Sequence, residues 1–202
     1  MDTQTYLDQF RSEPLSAKSA RERGIEVGTR ELSPNLGALL VFLSEAIDVR
    51  AVVEAGTGSG SGLHWLLNET DAIITSIDNE PEHIRLTKES LSEEFANRVR
   101  LITGDPVEVL SRLTDGAYDL VVLRMDARDL TDAVEHAHRL LRAGGILFIA
   151  NGLGDGKVPD PAQRDEFTIA IRETGRSLRA DQERWGSLLL PVGDGALLAL
   201  RR

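Results

Sequence analysis

Val53-Glu54-Ala55-Gly56-Thr57-Gly58-Ser59-Gly60-Ser61-Gly62 sets alternating glycines directly behind an apolar run. A strand that ends in such a loop and leads into a helix is the opening unit of an open parallel sheet. Its ligand meets bare backbone and helix-start N–H groups beyond the strand ends. Glycine permits positive φ there and removes the Cβ that would hold a ligand off. The register of the loop decides between ligands. A triphosphate loop requires Lys and then Ser or Thr after its last glycine, but Gly62 is followed by Leu63 and His64. The dinucleotide pattern G-x-G-x-x-G requires Gly or Ala at position 61 or 63, where Ser61 and Leu63 stand. What is left is an acid, Glu54, at the strand end ahead of Gly56, Gly58 and Gly60. An acid in that place suits a cationic ligand better than a phosphate.

Outward from the loop, short apolar runs alternate with charged helical segments. The runs are AVVEA, AIITSID, VRLITGD, YDLVVLRM and GILFIAN, each with the β-branched or aliphatic content of a strand covered on both faces. Helices are predicted over 62–69, 80–95, 106–114, 129–142 and near 161–175. Asp105-Pro106-Val107-Glu108 has the form of a capping box, and Arg142-Ala143-Gly144-Gly145 that of a helix end. SLLLPV and GALLALRR, joined by Gly193-Asp194-Gly195, read as a hairpin. The fold class is therefore α/β: a doubly wound, mostly parallel seven-stranded sheet finished by a C-terminal antiparallel hairpin. Leu36, Leu39, Leu40, Leu43 and Ile47 follow Ser33-Pro34 at helical spacing, so residues 1–48 are expected to form a helical cap on the core at 49–202, in a single domain of 202 residues.

A formal charge of -10 repels nucleic acid and anionic membranes, and neither is expected as a partner. The absence of cysteine removes thiolate chemistry and fits a reducing cytoplasm. MDTQTYLDQFRSEP lacks the basic flank and apolar run of a signal peptide, so a soluble, cytoplasmic protein is expected.

Glu54 ahead of Gly56, Gly58 and Gly60 resembles motif I of the class I S-adenosylmethionine-dependent methyltransferases. From about Ser33 onward the chain resembles the catechol and caffeoyl-CoA type O-methyltransferases. The pieces are Leu32-Ser33-Pro34 with Gly37 and Leu39-Leu40, VVEAGTGSG, TSID, ITGDPVEVL, YDLVVL, LLRAGGILFIANGLGDGKV and LLLPVGDGALLAL. The resemblance implies the Rossmann-like methyltransferase fold, S-adenosylmethionine as cofactor, a small-molecule acceptor and a homodimer. It places Leu32, Glu54, Gly56, Thr57, Gly58, Gly60 and Gly62 around the methionine end, Asp78 and Asn79 at the ribose, and Asp105 and Pro106 at the adenine; Gly62 stands where the family usually has a serine. An acid at Asp78 can accept both ribose hydroxyls or, alternatively, cap the helix that follows.

The family binds a divalent cation through an Asp at the end of the fourth strand, in a D-A-D-K pattern, and an Asp-Asn pair at the end of the fifth. Here the first position is Arg124, the pair is Ala150-Asn151, and the lysine position is Ala127. No divalent metal is expected. A two-residue slip would instead bring Asp126 to the ligand position and Asp129 to that of the lysine. Arg124 and Asp126 are the candidate catalytic residues, with Arg124 also touching the cofactor. Arg124 either holds an acceptor oxygen by charge-assisted hydrogen bonds or pairs with an acid such as Asp126 or Glu54.

Other residues have plainer readings. His64 is expected to be packed or solvent-facing; His136 and His138 lie on different faces of a helix; Trp65, Trp185, Tyr6 and Phe10 are expected in the core; and 152–161 is a candidate substrate lid. Three functions compete: an O-methyltransferase acting on a small-molecule hydroxyl without metal, a cofactor-binding subunit without transfer activity, and a nucleotide-linked oxidoreductase, the last disfavoured by the glycine register.

Overall fold

The computed structural model describes residues 2–125 and 127–202. Three helices, α1 (Thr3–Phe10), α2 (Leu15–Glu26) and α3 (Pro34–Ala46), precede the first strand. Then follow β1 (Ala51–Ala55), α4 (Ser61–Glu69), β2 (Ile73–Asp78), α5 (Pro81–Ser90), α6 (Glu93–Ala96), β3 (Val99–Thr103), α7 (Pro106–Ser111), β4 (Tyr118–Leu123), α8 (Leu130–Leu140), β5 (Leu141–Ile149), α9 (Glu166–Ala180), β6 (Trp185–Leu190) and β7 (Ala196–Arg201). The sheet order is β3-β2-β1-β4-β5-β7-β6. β1 to β5 run parallel, and β7 is antiparallel to both β5 and β6, as the sequence predicts.

Both faces of the sheet are covered, so neighbouring residues of one strand enter different cores. Val53, Val121, Leu147 and Ile149 face α8 and α9, with Leu130, Val134, Ile171 and Leu178 packed on them. Val52, Leu120, Val122 and Phe148 face the side of α3 and α4, against Leu36, Leu40, Leu63 and Leu66. Burying one such side chain contributes about 1.5–3 kcal/mol. The cap is fixed by the same chemistry. The Ser33 hydroxyl accepts the Leu36 N–H at the start of α3, and Gly37 lets α3 press on Trp65, whose ring nitrogen would lie 2.1 Å from an added Cβ.

Several boundaries differ from those expected. The helix predicted over 80–95 breaks into α5 and α6 around Leu91, which is extended. The fourth helix stops at Leu140, not Arg142, because β5 begins at Leu141: Leu141 pairs with Tyr118, and the ladder resumes with Ile146 on Leu120 after a register shift. Gly144, at φ 79, lies within that shift and does not end a helix. The helix expected near 161–175 runs from Glu166 to Ala180, started by Asp165, whose carboxylate accepts the Thr168 N–H at 3.0 Å. Tyr6 and Phe10 are not core residues. They lie exposed on α1, tilted against each other. Trp65 and Trp185 are buried as predicted.

Candidate active site

The glycine loop joins β1 to α4 at the carboxyl end of the sheet. Gly56, Gly58 and Gly60 all take positive φ, at 92, 57 and 89°. A Cβ on Gly56 would sit 2.2 Å from the Arg124 carbonyl oxygen, so the end of β4 can lie against the loop only because Gly56 is bare. Thr57 turns inward, its hydroxyl 2.7 Å from that of Ser76, which in turn donates to Glu54 at 2.6 Å. Gly56, Gly58, Asp78, His83 and Arg124 line a cleft of about 500 Å³. Beyond the ends of β4 and β5 the same cleft is apolar, walled by Met125, Leu130, Ile149, Phe167 and Ile171, with Asn151 beside them.

At the centre lies a buried charge network. The Arg124 guanidinium donates to the Arg30 carbonyl at 2.6 Å, and it stands 3.3 Å from the Glu31 carboxylate and 3.7 Å from that of Glu54. The three side chains are 3, 1 and 0% exposed, respectively. One cation between two buried carboxylates neutralises only one of them. Although burial opposes it, Glu31 keeps its charge, helped by Arg124 and by donors from Ser61, Thr29 and Ser59, and its pKa is held down at about 2. Glu54 has fewer donors, and burial pushes its carboxyl up to about 7. Arg124 thus pairs with an acid anticipated from the sequence, Glu54, and with one that was not, Glu31.

A sequence model of the family described as O-methyltransferase matches residues 3–202. The chain belongs to the O-methyltransferase family. It is 42% identical over 194 residues to a curated Mycobacterium marinum protein whose own naming as an O-methyltransferase is provisional, covering 94% of this chain and 86% of the relative. A crystal structure of a Corynebacterium glutamicum protein superposes with a TM-score of 0.86 at 28% identity, over 98% of this chain and 94% of that one. The O-methyltransferase TomG from Streptomyces achromogenes, solved in complex with S-adenosylmethionine, superposes with a TM-score of 0.84 at 22% identity, over 100% of this chain and 99% of that one; that likeness speaks for the shared fold. The fold is that of the class I methyltransferases.

In this O-methyltransferase the candidate residues divide by position. Asp78 closes β2 with both carboxylate oxygens engaged: Oδ2 accepts the Gly58 N–H at 2.9 Å, and Oδ1 accepts the Glu80 N–H at 2.9 Å and faces His83 Nδ1 at 3.2 Å. Glu54, Thr57, Gly60, Gly62 and Leu32 stand behind the cleft wall. The Leu32 N–H reaches the Ser61 hydroxyl at 3.4 Å, and that hydroxyl donates to Glu31. Asn79 is exposed. Asp105 caps α7 by accepting the Glu108 N–H at 2.8 Å, the plainer of its two readings, and Pro106 is buried as the first residue of that helix. Asp126 lies outside the described residues. Sequence reasoning missed Glu31, Ser59, Ser61 and His83. Ser59 and Ser61 lay within the quoted loop, but Glu31 carried no signal.

His64 is packed, as expected. Its Nε2 is 2.8 Å from the Ser90 hydroxyl, which donates to the Thr87 carbonyl, so Nε2 carries the proton and Nδ1 is bare and buried. Burial, reinforced by Arg23, lowers its pKa to about 4. As pH falls below about 6.5 the unfolded chain takes up this proton first, so His64 weakens the fold progressively down to about 4. Glu54, raised to about 7, has the opposite effect over 4.5 to 7. Between pH 6.5 and 4.5, His64→Gln should therefore lose about 2–3 kcal/mol less stability than the wild type. Urea melts at both pH values would measure this, and parallel losses would contradict it.

Proposed function

We propose that this O-methyltransferase binds S-adenosylmethionine above the glycine loop and delivers its methyl group to a hydroxyl of a small, mostly apolar acceptor without a divalent cation. The observation that carries this reading is Arg124. A permanently charged guanidinium, already bonded to Glu31 and facing Glu54, occupies the place where the family resemblance puts a metal-binding Asp. Ala150 offers no ligand in the next position, and Asn151 alone offers one amide oxygen. Among the described residues, those at these positions do not fit a divalent ion.

They do fit the organic cofactor. When bound, it supplies an electrophilic methyl group on a sulfonium. Asp78 at the end of β2 would accept ribose hydroxyls on the lone pairs that the Gly58 and Glu80 N–H groups do not use, with His83 Nδ1 turning away from Oδ1 to admit the second hydroxyl. Gly56 and Gly58 line the cleft with backbone, and the acids of the site suit a cationic ligand. Met125, Leu130, Phe167 and Ile171 exclude water from the far end, where an acceptor would be held by apolar contact. Arg30 spans the mouth, 5.5 Å over the Phe167 ring and 2.9 Å from Asp155 of the 152–161 loop. Catalysis then rests on proximity and orientation. A second reading, a cofactor-binding subunit without transfer activity, is favoured by one observation: the Arg124 side chain is buried, with Nη2 held by the Arg30 carbonyl and Glu31, so it does not reach out to activate an acceptor hydroxyl.

Transfer of labelled methyl to a panel of phenols and hydroxy acids, with and without EDTA, separates the readings. Transfer that survives EDTA is the expected result. Transfer that needs Mg²⁺ would overturn the metal-free mechanism, and tight S-adenosylhomocysteine binding without any transfer would establish the second reading.

A further inference from the structure

Glu31 has a location that the fold does not require. It ends a strap, Val27 to Glu31, that leaves α2 through Gly28 at φ 81 and crosses the glycine loop on its way to α3. The path is cut to fit the side chain: a Cβ on Gly24 would meet Glu31 Cγ at 2.4 Å, and one on Gly58 would meet Glu31 Oε1 at 2.6 Å. Oε1 accepts from the Thr29 hydroxyl at 2.6 Å and the Ser59 N–H at 2.9 Å; Oε2 accepts from the Ser61 hydroxyl at 2.5 Å and from Arg124 at 3.3 Å. Two of these donors, the Ser59 N–H and the Ser61 hydroxyl, lie at the start of α4, whose N-cap, Gly60, has no side chain to offer. With four donors the carboxylate is saturated, so it has no vacancy for a ligand's ammonium.

The network is nevertheless incomplete. Arg124 Nη1 and Glu54 Oε1 are buried, 3.7 Å apart, and neither has a hydrogen-bond partner among the described residues. A ligand with a carboxylate and an ammonium on one carbon brings an acceptor for the first and a donor for the second.

We propose that Glu31 is a built-in surrogate for the methyl donor's own carboxylate, and that Arg124, with the Ser59 N–H and the Ser61 hydroxyl, is the receptor this carboxylate takes over when Glu31 leaves. The proposal rests on the S-adenosylmethionine reading above. Arg124 is then a donor-positioning residue, and Glu31 is an internal competitor that ties the strap down while the site is empty.

Two ligands that share nucleoside and sulfur isolate this exchange: S-adenosylhomocysteine, which has the amino-acid end, and 5′-methylthioadenosine, which lacks it. Calorimetry gives the ratio of their affinities. Glu31→Gln removes the competing charge and should raise the ratio in favour of S-adenosylhomocysteine about fivefold, with 5′-methylthioadenosine unchanged. Arg124→Met should lower the ratio about tenfold. The double variant E31Q/R124M, which removes both charges and so guards against misfolding of the single variant, should show the same lowering. A fall in the ratio for Glu31→Gln, or an unchanged ratio for both Arg124 variants, would overturn the proposal. Failure of the wild type to bind either ligand would instead remove the donor reading on which it rests.

Discussion

Arg124→Ala lowers the stability of this protein by about 3–5 kcal/mol at pH 7, the cost of removing one partner from a buried ion network. The size follows from what is left behind. Glu31 and Glu54 are 1 and 0% exposed, and without the guanidinium neither has a counter-ion. Glu54 escapes by staying protonated: its pKa, already about 7 beside Arg124, rises further without it. A carboxyl raised in the folded state costs stability as pH climbs above the unfolded value, so the penalty grows from pH 6 to pH 8. Arg124→Lys restores the charge but not the fork that reaches the Arg30 carbonyl and both acids, and it recovers only part of the loss. Urea unfolding of the three proteins at both pH values measures this. A change below about 1 kcal/mol for Arg124→Ala, the size seen for exposed pairs, would rule out a buried network.

The elements that the sequence announced are those whose cause is local. Period and turn chemistry give the five parallel strands, and Gly193-Asp194-Gly195 gives the hairpin. Ser33 and Asp105 cap the helices they precede, because capping needs only a side chain and an N–H three residues on. The glycine loop was legible for the same reason, since positive φ is a demand on a single residue. What was not legible depends on packing between distant segments. Glu31 sits in Thr29-Arg30-Glu31-Leu32, which reads as an ordinary polar turn; only the crossing of α2 over α4 lays its carboxylate on Ser59 and Ser61. Arg124 was conspicuous as a departure from the family, and Glu54 was foreseen as a partner, but the nearer acid, Glu31, came from the cap. Ser61 was passed over in favour of position 62, a one-residue offset that matters at a helix start, where successive side chains point about 100° apart. The boundary between α8 and β5 failed because Gly144-Gly145 looks like a helix end, while its glycines serve a register shift inside the strand.

The second large effect is expected at Asp78. Asp78→Ala should weaken S-adenosylhomocysteine binding at least about 100-fold, because a carboxylate that accepts ribose hydroxyls contributes about 1.5–3 kcal/mol for each charge-assisted bond. Part of the loss arises in the protein. Asp78 Oδ2 also holds the Gly58 N–H at 2.9 Å, and Gly58, at φ 57, lines the cleft. Alanine therefore removes a ligand acceptor and unpins the loop together. Asp78→Asn separates the two contributions. Its amide oxygen can still accept the Gly58 N–H, so the loop keeps its shape, while the charge and one acceptor oxygen are lost; the expected weakening is about tenfold, not 100-fold. Both variants should bind 5′-methylthioadenosine correspondingly less well, since that ligand carries the same ribose. This separates Asp78 from Arg124, whose loss is expected to spare the nucleoside and penalise only the amino-acid end. If Asp78→Ala bound both ligands like the wild type, the ribose would lie elsewhere, and the assignment of the cleft's polar half to the donor would fail with it.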